Sequence, residues 1–143
     1  MIAALYAALS IVFQPISYGL VQVRVSEALT VLPFLWAEAV PGVFIGCLLA
    51  NIWGGYGLLD IILGSAATLA AAILTRYAPN KFLAASSPVV VNALVVGVYL
   101  SYILNVPTVM SVFYVGCGQA IACYAIGLPM LNLIASGKIS VKK

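Results

Sequence analysis

The stretch KFLAASSPVVVNALVVGVYLSYIL, residues 81 to 104, carries a single charge, at Lys81. It is longer than the roughly 20 apolar residues that an α-helix needs to cross the hydrocarbon core of a bilayer. A transmembrane β-strand would be only about ten residues long and would alternate in polarity, so a helix is the better interpretation. The stretch therefore predicts a helical membrane protein.

The composition of the whole chain supports this prediction. Hydrophobic residues make up 65% and charged residues 6% of the 143 residues, whereas soluble globular proteins contain about 25% charged residues. The length allows one compact bundle, so we expect residues 1–143 to form a single transmembrane domain. The net charge of +3 comes from basic residues at the ends of the apolar segments, and it indicates membrane topology rather than nucleic-acid binding.

Six helices are expected, separated by proline, glycine and polar residues that favour turns. Their approximate ranges are 2–13, 26–37, 41–53, 60–77, 81–104 and 108–134, with a bend in the last helix at Pro129. The fold class predicted from the sequence is an all-α integral membrane protein, a compact bundle of six transmembrane helices.

The positive charges predict the orientation of these helices. Arg76 and Lys81 bracket the turn before the fifth helix, and three lysines follow the sixth, namely Lys138, Lys142 and Lys143. Two crossings separate the two basic clusters, so both belong in the cytoplasm. We therefore expect a multi-pass protein of the cell membrane with cytoplasmic N- and C-termini, and with residues 15–25, 54–60 and 105–107 outside.

The stretch VQVRVSEALTV, residues 21 to 31, is unusually polar for this chain. Valines alternate with polar residues up to Ser26, a period typical of extended backbone. We interpret residues 15–25 as a structured extracellular loop after the first helix. Ser26 is then expected to cap the second helix, with Glu27 in its first turn.

Ionisable side chains in or against a bilayer are costly and often functional, which makes Arg24, Glu27, Glu38 and Asp60 candidates for a binding site. A structural alternative is an Arg24–Glu27 pair that holds the loop, with Glu38 and Asp60 marking interfacial helix ends. The amides of Asn51, Asn92 and Gln119 either join helices or contact a ligand.

Aromatic residues near the expected outer helix ends form either an interfacial belt or stacking partners for a planar ligand. They are Trp53, Tyr56, Tyr99, Tyr102 and Tyr114.

Several classes of chemistry are disfavoured by the sequence. The chain has no histidine, and the GGYG turn lacks the lysine and hydroxyl residue of a phosphate-binding loop. The three cysteines lie in apolar runs without the spacing of a metal site, so they are expected to be small buried residues. No nucleophile has an identifiable base. We therefore predict that the protein is not an enzyme and uses no cofactor or metal.

Four quoted segments, in this order and spacing, resemble the QueT family of queuosine-precursor transporters, which are substrate-binding S components of energy-coupling factor (ECF) transporters. The segments are ALYAALS (4–10), VQVRVSEALTVLPF (21–34), EAVPGVFIGCLLAN (38–51) and GGYGLLDIILGSAATLAA (54–71). The resemblance implies uptake of a 7-deazaguanine base, such as the aminomethyl or cyano precursor (preQ1, preQ0) or queuine. It also implies an EcfT-like transmembrane coupling subunit and two cytoplasmic ATPase subunits as partners.

The resemblance further implies a gating role for residues 15–25 and a docking role for the small residues of the first helix, namely Ala3, Ala4, Ala7 and Ala8. A carboxylate can accept both adjacent N–H donors of a guanine-like edge. The expected substrate-binding residues are Glu27, Arg24, Gln22, Asn51, Asp60, Glu38, Asn92, Gln119, Trp53 and Tyr56, with Glu27, Asn51 and Asp60 favoured and Glu38 toward the inner side. The alternatives are a homo-oligomeric pore, an S component for another small heterocyclic vitamin, and an intramembrane enzyme.

Overall fold

The structure of the protein is a computed structural model that describes residues 1–18, 21, 23–54 and 56–137. In these residues the chain forms seven helices and no strand. The helices are α1 (Ile2–Val12), α2 (Gln14–Ser17), α3 (Val25–Phe34), α4 (Ala39–Gly54), α5 (Asp60–Gly64 continuing as Ser65–Arg76), α6 (Lys81–Leu104) and α7 (Thr108–Ala120, Ile121–Gly127 and Leu128–Ala135). The all-helical fold predicted from the apolar runs is confirmed for this part of the chain.

Two of these helices, α6 and α7, are long and apolar enough to cross a membrane. They have 24 and 28 residues, with mean hydropathies of 1.9 and 1.6. The helices α1, α3 and α4 are apolar but shorter. The number of crossings therefore stays a prediction, whereas the helical, apolar character of the bundle is observed.

Burial in the bundle reverses the pattern of a soluble protein. Large apolar side chains face outward, as Leu94 and Phe113 do with exposed fractions of 57% and 66%. Three charged side chains face inward: Arg24 is 3% exposed, and Glu27 and Asp60 are fully buried. Because hydrocarbon solvates apolar side chains and not charges, this distribution suits a protein whose surrounding solvent is lipid.

The helix α3 is a ten-residue 3₁₀-helix at the centre of the bundle, with every residue from Ser26 to Pro33 buried. It ends at Phe34, earlier than the predicted end near residue 37. The prediction that Ser26 caps it is wrong, because the capping position belongs to Arg24, whose backbone is extended. Ser26 is fully buried, and its hydroxyl hydrogen-bonds to that of Ser10 on α1 at 2.7 Å, since a buried hydroxyl needs a partner.

Residues 15–25 are only partly extended. Pro15 lies near the start of the short helix α2, a position that suits proline because its fixed φ matches the first helical turn. The prediction of extended backbone is therefore wrong from Pro15 to Ser17, while Tyr18 and Arg24 are extended. Residues 19, 20 and 22 lie outside the described residues.

The helix α7 contains a widened turn over Ile121–Gly127, directly before Pro129. Proline in a helix removes one backbone donor and clashes with the carbonyl four residues earlier. A widened turn relieves such a conflict. The irregularity predicted at Pro129 is thus located upstream of it.

Apart from the short helix α2 and the 3₁₀-helix α3, each helix packs against the next one along the chain: α1 against α4, α4 against α5, α5 against α6 and α6 against α7. The approach of α1 to α4 depends on Gly46, where an added Cβ would lie 2.6 Å from the Cβ of Tyr6 and 2.8 Å from the carbonyl oxygen of Ala3. The 3₁₀-helix α3 fills the space among α1, α5 and the widened turn of α7.

The bundle has two ends, which we name by their residues. At the loop end, the Tyr18 hydroxyl donates to the carbonyl of Ala50 at 2.6 Å, and the Tyr18 ring lies 5.8 Å from that of Tyr56. At the Glu38 end, the Lys81 ammonium donates to the Asn132 side chain at 2.9 Å. The loop after α1 and the turn before α5 therefore share one end of the molecule.

Candidate functional site

A buried ion pair joins α5 to the segment before α3. Arg24 Nη2 lies 3.6 Å from Asp60 Oδ1, and Arg24 Nη1 donates to Asn51 Oδ1 at 2.9 Å. The Tyr99 hydroxyl donates to the same Asp60 oxygen. The Asn51 amide in turn donates to the backbone carbonyl of Asp60 at 3.0 Å and to the Ser65 hydroxyl at 3.3 Å. These residues form one connected set, which we call the Asp60 layer.

The predicted alternative of an Arg24–Glu27 pair is wrong, because the guanidinium pairs with Asp60.

The absence of a side chain at Gly64 makes room for the Asp60 layer. A Cβ at this position would lie 2.9 Å from Asn51 Nδ2, 3.0 Å from the Tyr99 oxygen and 3.1 Å from Asp60 Oδ1. Contacts that short would force polar atoms apart. Gly64 therefore lets α5 approach α4 and α6 closely enough for their side chains to meet.

Tyr18 covers this layer at the loop end. Its ring centroid lies 5.1 Å from the Arg24 guanidinium carbon, a distance typical of a cation–π interaction. Arg24 Nε also donates to the carbonyl of Ser17 at 3.4 Å. The loop after α1 is thus held over the Asp60 layer by contacts to the arginine itself.

A second buried acid, Glu27, forms a separate set with residues of α1 and α6. Its two carboxylate oxygens accept hydrogen bonds from the Tyr6 hydroxyl and from Asn92 Nδ2, the latter at 3.3 Å. Its backbone carbonyl accepts from the Thr30 hydroxyl at 2.5 Å and from the Cys123 thiol at 3.7 Å. We call Tyr6, Glu27 and Asn92 the Glu27 layer.

The two layers lie at different depths of the bundle. Tyr99 and Asn92 are seven residues apart on α6, which is two helical turns and about 10 Å of rise on one face. Tyr99 belongs to the Asp60 layer near the loop end, and Asn92 to the Glu27 layer further in. The interior thus presents two levels of polar groups along one helix face.

Several buried polar atoms in and near these layers have no hydrogen-bond partner among the described residues. They are Asp60 Oδ2, Arg24 Nη2, Asn92 Oδ1, Gln119 Oε1 and the hydroxyls of Ser17 and Ser111. A buried polar group without a partner costs about 1 to 3 kcal/mol. Three of the six atoms are carbonyl or carboxylate acceptors, so the interior has unused capacity to bind hydrogen-bond donors.

The remaining predicted site residues are placed differently. Trp53 is 63% exposed, and Glu38 is exposed at the opposite end. Tyr56 is half-buried against Tyr18, while Gln22 lies outside the described residues. The structure brings together Arg24, Glu27, Asn51, Asp60 and Asn92 in two neighbouring layers and leaves Trp53 and Glu38 apart from them.

A cavity of about 690 Å³ lies at the Glu38 end, between α1, α3, the start of α4 and the end of α7. Its wall is mostly aliphatic and includes Leu29, Leu32 and Met130, together with Trp36 and Glu38. This cavity is separate from the polar layers.

The alanines of α1 fall on two faces. Ala3 and Ala7 are half-buried, and the Ala3 carbonyl lies against Gly46 of α4. Ala4 and Ala8 are exposed on the outer face. The small-residue set therefore serves internal packing on one side and leaves a smooth strip on the other.

Sequence reasoning missed the roles of four residues in or against the two layers. For Tyr99 it predicts an interfacial belt or a stacking partner for a planar ligand, yet Tyr99 is buried and bonded to Asp60. Tyr6 and Tyr18 gave no signal beyond their aromatic character, and Gly64 looked like an ordinary small residue of a helix. The spacing of Tyr99 and Asn92, two turns apart, was the one available clue that both lie on an inward face.

The site presents charged and amide side chains that can form hydrogen bonds with a ligand. Among the described residues, no group of three or more His, Cys, Asp or Glu side chains could hold a metal ion. Cys47 and Cys123 are buried free thiols, and Cys47 lies 3.2 Å from the Thr68 hydroxyl.

An apolar exterior around buried charged side chains is typical of a helical membrane protein with a polar interior. A model of the QueT transporter family matches residues 1–136, and the chain belongs to this family. It is therefore a membrane transport protein, and the resemblance drawn from the four quoted segments is confirmed. No match is found among curated proteins or among solved structures.

Proposed function

We propose that the protein is the substrate-capture subunit of an ECF-type transporter and binds a queuosine precursor, a 7-deazaguanine base, from outside the cell. It spans the cell membrane six times with both termini in the cytoplasm. It passes the base to a coupling subunit driven by two separate ATPases. The chain itself carries no nucleotide-binding motif.

The unused acceptors of the interior are the observation that carries this proposal. Asp60 Oδ2, Asn92 Oδ1 and Gln119 Oε1 are buried and receive no hydrogen bond from the residues that the structure describes. A 7-deazaguanine base is rich in donors, with N–H groups on both rings and an exocyclic amine. A donor-rich guest would satisfy acceptors that the folded chain leaves unpaired, which favours binding.

The arrangement of the layers supports a flat, two-ended ligand. The partners of the two acids on α6, Asn92 and Tyr99, are about 10 Å apart in rise, and a bicyclic base with one side arm can reach from one layer toward the other. Asn51 and Asn92 supply amides that complete a hydrogen-bonding edge, and Arg24 supplies donors for a carbonyl oxygen. The acids and amides of the site are all held by helices rather than by loops, so their positions are defined before binding.

Entry of the base requires movement of the segment that seals the Asp60 layer. Tyr18 and Arg24 lie on that segment, and their contacts to Ala50 and Asn51 hold it closed. We assign the gating role to residues 15–25, which break these contacts when the site opens and re-form them around the ligand.

Isothermal titration calorimetry on the purified protein tests the proposal. We expect stoichiometric binding of 7-deazaguanine bases and much weaker binding of adenine. Asp60→Asn should lower the affinity by about tenfold or more, the value of one charge-assisted hydrogen bond. The matched control is Glu38→Gln, which changes an exposed acid at the other end and should leave binding unchanged.

Other outcomes of this experiment identify other functions. Tight binding of a different heterocycle with no 7-deazaguanine binding would make the protein an S component for another vitamin. Ligand-independent conductance in reconstituted bilayers would indicate a pore, and chemical conversion of the base without ATPases would indicate an enzyme. Each result contradicts the proposed function.

The exposed strip of Ala4 and Ala8 is the proposed contact with the coupling subunit. Small residues let two transmembrane helices approach closely, and bulky substitutions there should block assembly without disturbing the buried layers. We expect Ala4→Leu with Ala8→Leu to abolish co-purification with the coupling subunit while base binding persists. The control is Ala66→Leu with Ala70→Leu, an equally exposed pair at the same spacing on α5. Equal loss in both variants would contradict a specific role of α1.

A further inference from the structure

The charges buried in the two layers do not cancel. The buried charged side chains of the described residues are Arg24, Glu27 and Asp60, one cation and two anions. The other described basic residues, Arg76 and Lys81, lie at the Glu38 end in exposed or half-exposed positions. Counted by formal charge, the described interior therefore holds one acid more than it has basic partners.

The excess charge can be assigned to Glu27. Arg24 directs its guanidinium to Asp60, Asn51, the Ser17 carbonyl and the Tyr18 ring, and it makes no salt bridge with Glu27. Glu27 is fully buried and receives hydrogen bonds from neutral donors only, the Tyr6 hydroxyl and the Asn92 amide. Both of its oxygens lie against neutral hydrogen-bonding groups, and no described basic side chain contacts them.

A buried charge without a counter-charge is costly, and the cost falls when an opposite charge enters beside it. The surroundings of Glu27 also contain Asn92 Oδ1, a buried acceptor with no donor among the described residues. An ammonium group has three donors and a positive charge. It would neutralise Glu27 and satisfy the amide oxygen with the same atom.

We propose that the site selects a monocation, so that among 7-deazaguanine bases it takes those bearing a protonated amine, with the amine at Glu27. This inference rests on the proposed function and assigns the subclass of substrate within it. Asp60, already neutralised by Arg24, is left to bind neutral N–H donors of the ring. Glu27 is then the residue that determines specificity for charge.

The test compares three ligands that share one ring system. The aminomethyl base is cationic, the hydroxymethyl base has nearly the same shape without the charge, and the cyano base is neutral. Calorimetry on the unaltered protein should give an affinity for the aminomethyl base that is at least about tenfold higher than for the other two. Glu27→Gln should abolish this preference, so that the aminomethyl base binds no more tightly than the hydroxymethyl base.

The hydroxymethyl base also reports on folding, because its retained binding shows that the Gln variant keeps its site. If Glu27→Gln binds none of the three, Glu27→Asp decides: retained preference for the aminomethyl base supports the proposal, and equal affinities overturn it. A preference that survives Glu27→Gln also overturns it. Equal affinities in the unaltered protein overturn charge selection but leave the proposed function intact, whereas absence of binding by all three bases overturns both.

Discussion

At the loop end, Arg24, Asn51 and Asp60 are sealed inside the bundle by hydrogen bonds, whereas at the Glu38 end an apolar cavity of about 690 Å³ lies between α1, α3 and α7. The difference follows from what each kind of surface loses when a contact is broken. A buried charge or amide without a hydrogen-bond partner destabilises the folded protein by kilocalories per mole. An aliphatic side chain that faces a void loses only weak dispersion contacts. The positions of the side chains are therefore tightly constrained at the loop end and less constrained at the Glu38 end.

The largest difference between the ends is expected from removal of an acid. Asp60→Ala leaves Arg24 buried without its counter-charge and Tyr99 without its acceptor, which should lower the free energy of unfolding by about 3 to 5 kcal/mol. Thermal unfolding in detergent measures the change. Glu38→Ala removes an exposed carboxylate and should change stability by less than about 0.5 kcal/mol. Equal losses of stability in the two variants would show that the Arg24–Asp60 pair does not stabilise the fold.

A methyl group added at Gly64 sharpens the comparison without changing any charge. Gly64→Ala places a Cβ about 3 Å from three polar atoms of the Asp60 layer, and such overpacking typically costs about 1 to 3 kcal/mol. Unfolding temperature and base affinity should both fall.

The matched control for this variant is Gly116→Ala, where the Cβ would meet only the Ala93 Cβ at 3.4 Å. Alanine is the better helix former, so the control should be neutral or slightly stabilising. A stable Gly64→Ala protein with full affinity would contradict the close packing of the Asp60 layer.

The smallest expected difference in stability between the two ends comes from removing one hydrogen bond at each end. Tyr18→Phe keeps the ring over Arg24 but loses the bond to the Ala50 carbonyl, at a cost of about 0.5 to 1.5 kcal/mol. Hydrogen exchange of the backbone amides of residues 16–18 should become faster. Asn132→Ala removes the exposed bond from Lys81 and should cost less than about 0.5 kcal/mol, because water or lipid headgroups replace it. A larger loss for Asn132→Ala would reverse the ranking of the two ends.

Much of the candidate site could be named from the sequence because charges are rare in this chain. The whole chain has three acids, and only Glu27 and Asp60 were expected near the outer end with Arg24. These three residues are buried, as are Asn51 and Asn92. Their partners could not be predicted. Arg24 is three residues from Glu27, yet it pairs with Asp60, because the 3₁₀ geometry of α3 and the close approach of α5 decide which acid the guanidinium meets.

The sequence by itself determined that the protein is surrounded by lipid, that it is helical and which family it belongs to. Apolar runs of this length have few stable alternatives to a helix in lipid. It also identified the few ionisable side chains as candidates for a binding site. Only the tertiary structure decided which of them share a layer, that Tyr6 and Tyr99 bond to the acids, and that Glu27 meets no cation among the described residues. The physical reason is that a side chain's partner depends on how helices distant in sequence are rotated and spaced, and the local pattern of a helix carries information only about which face turns inward.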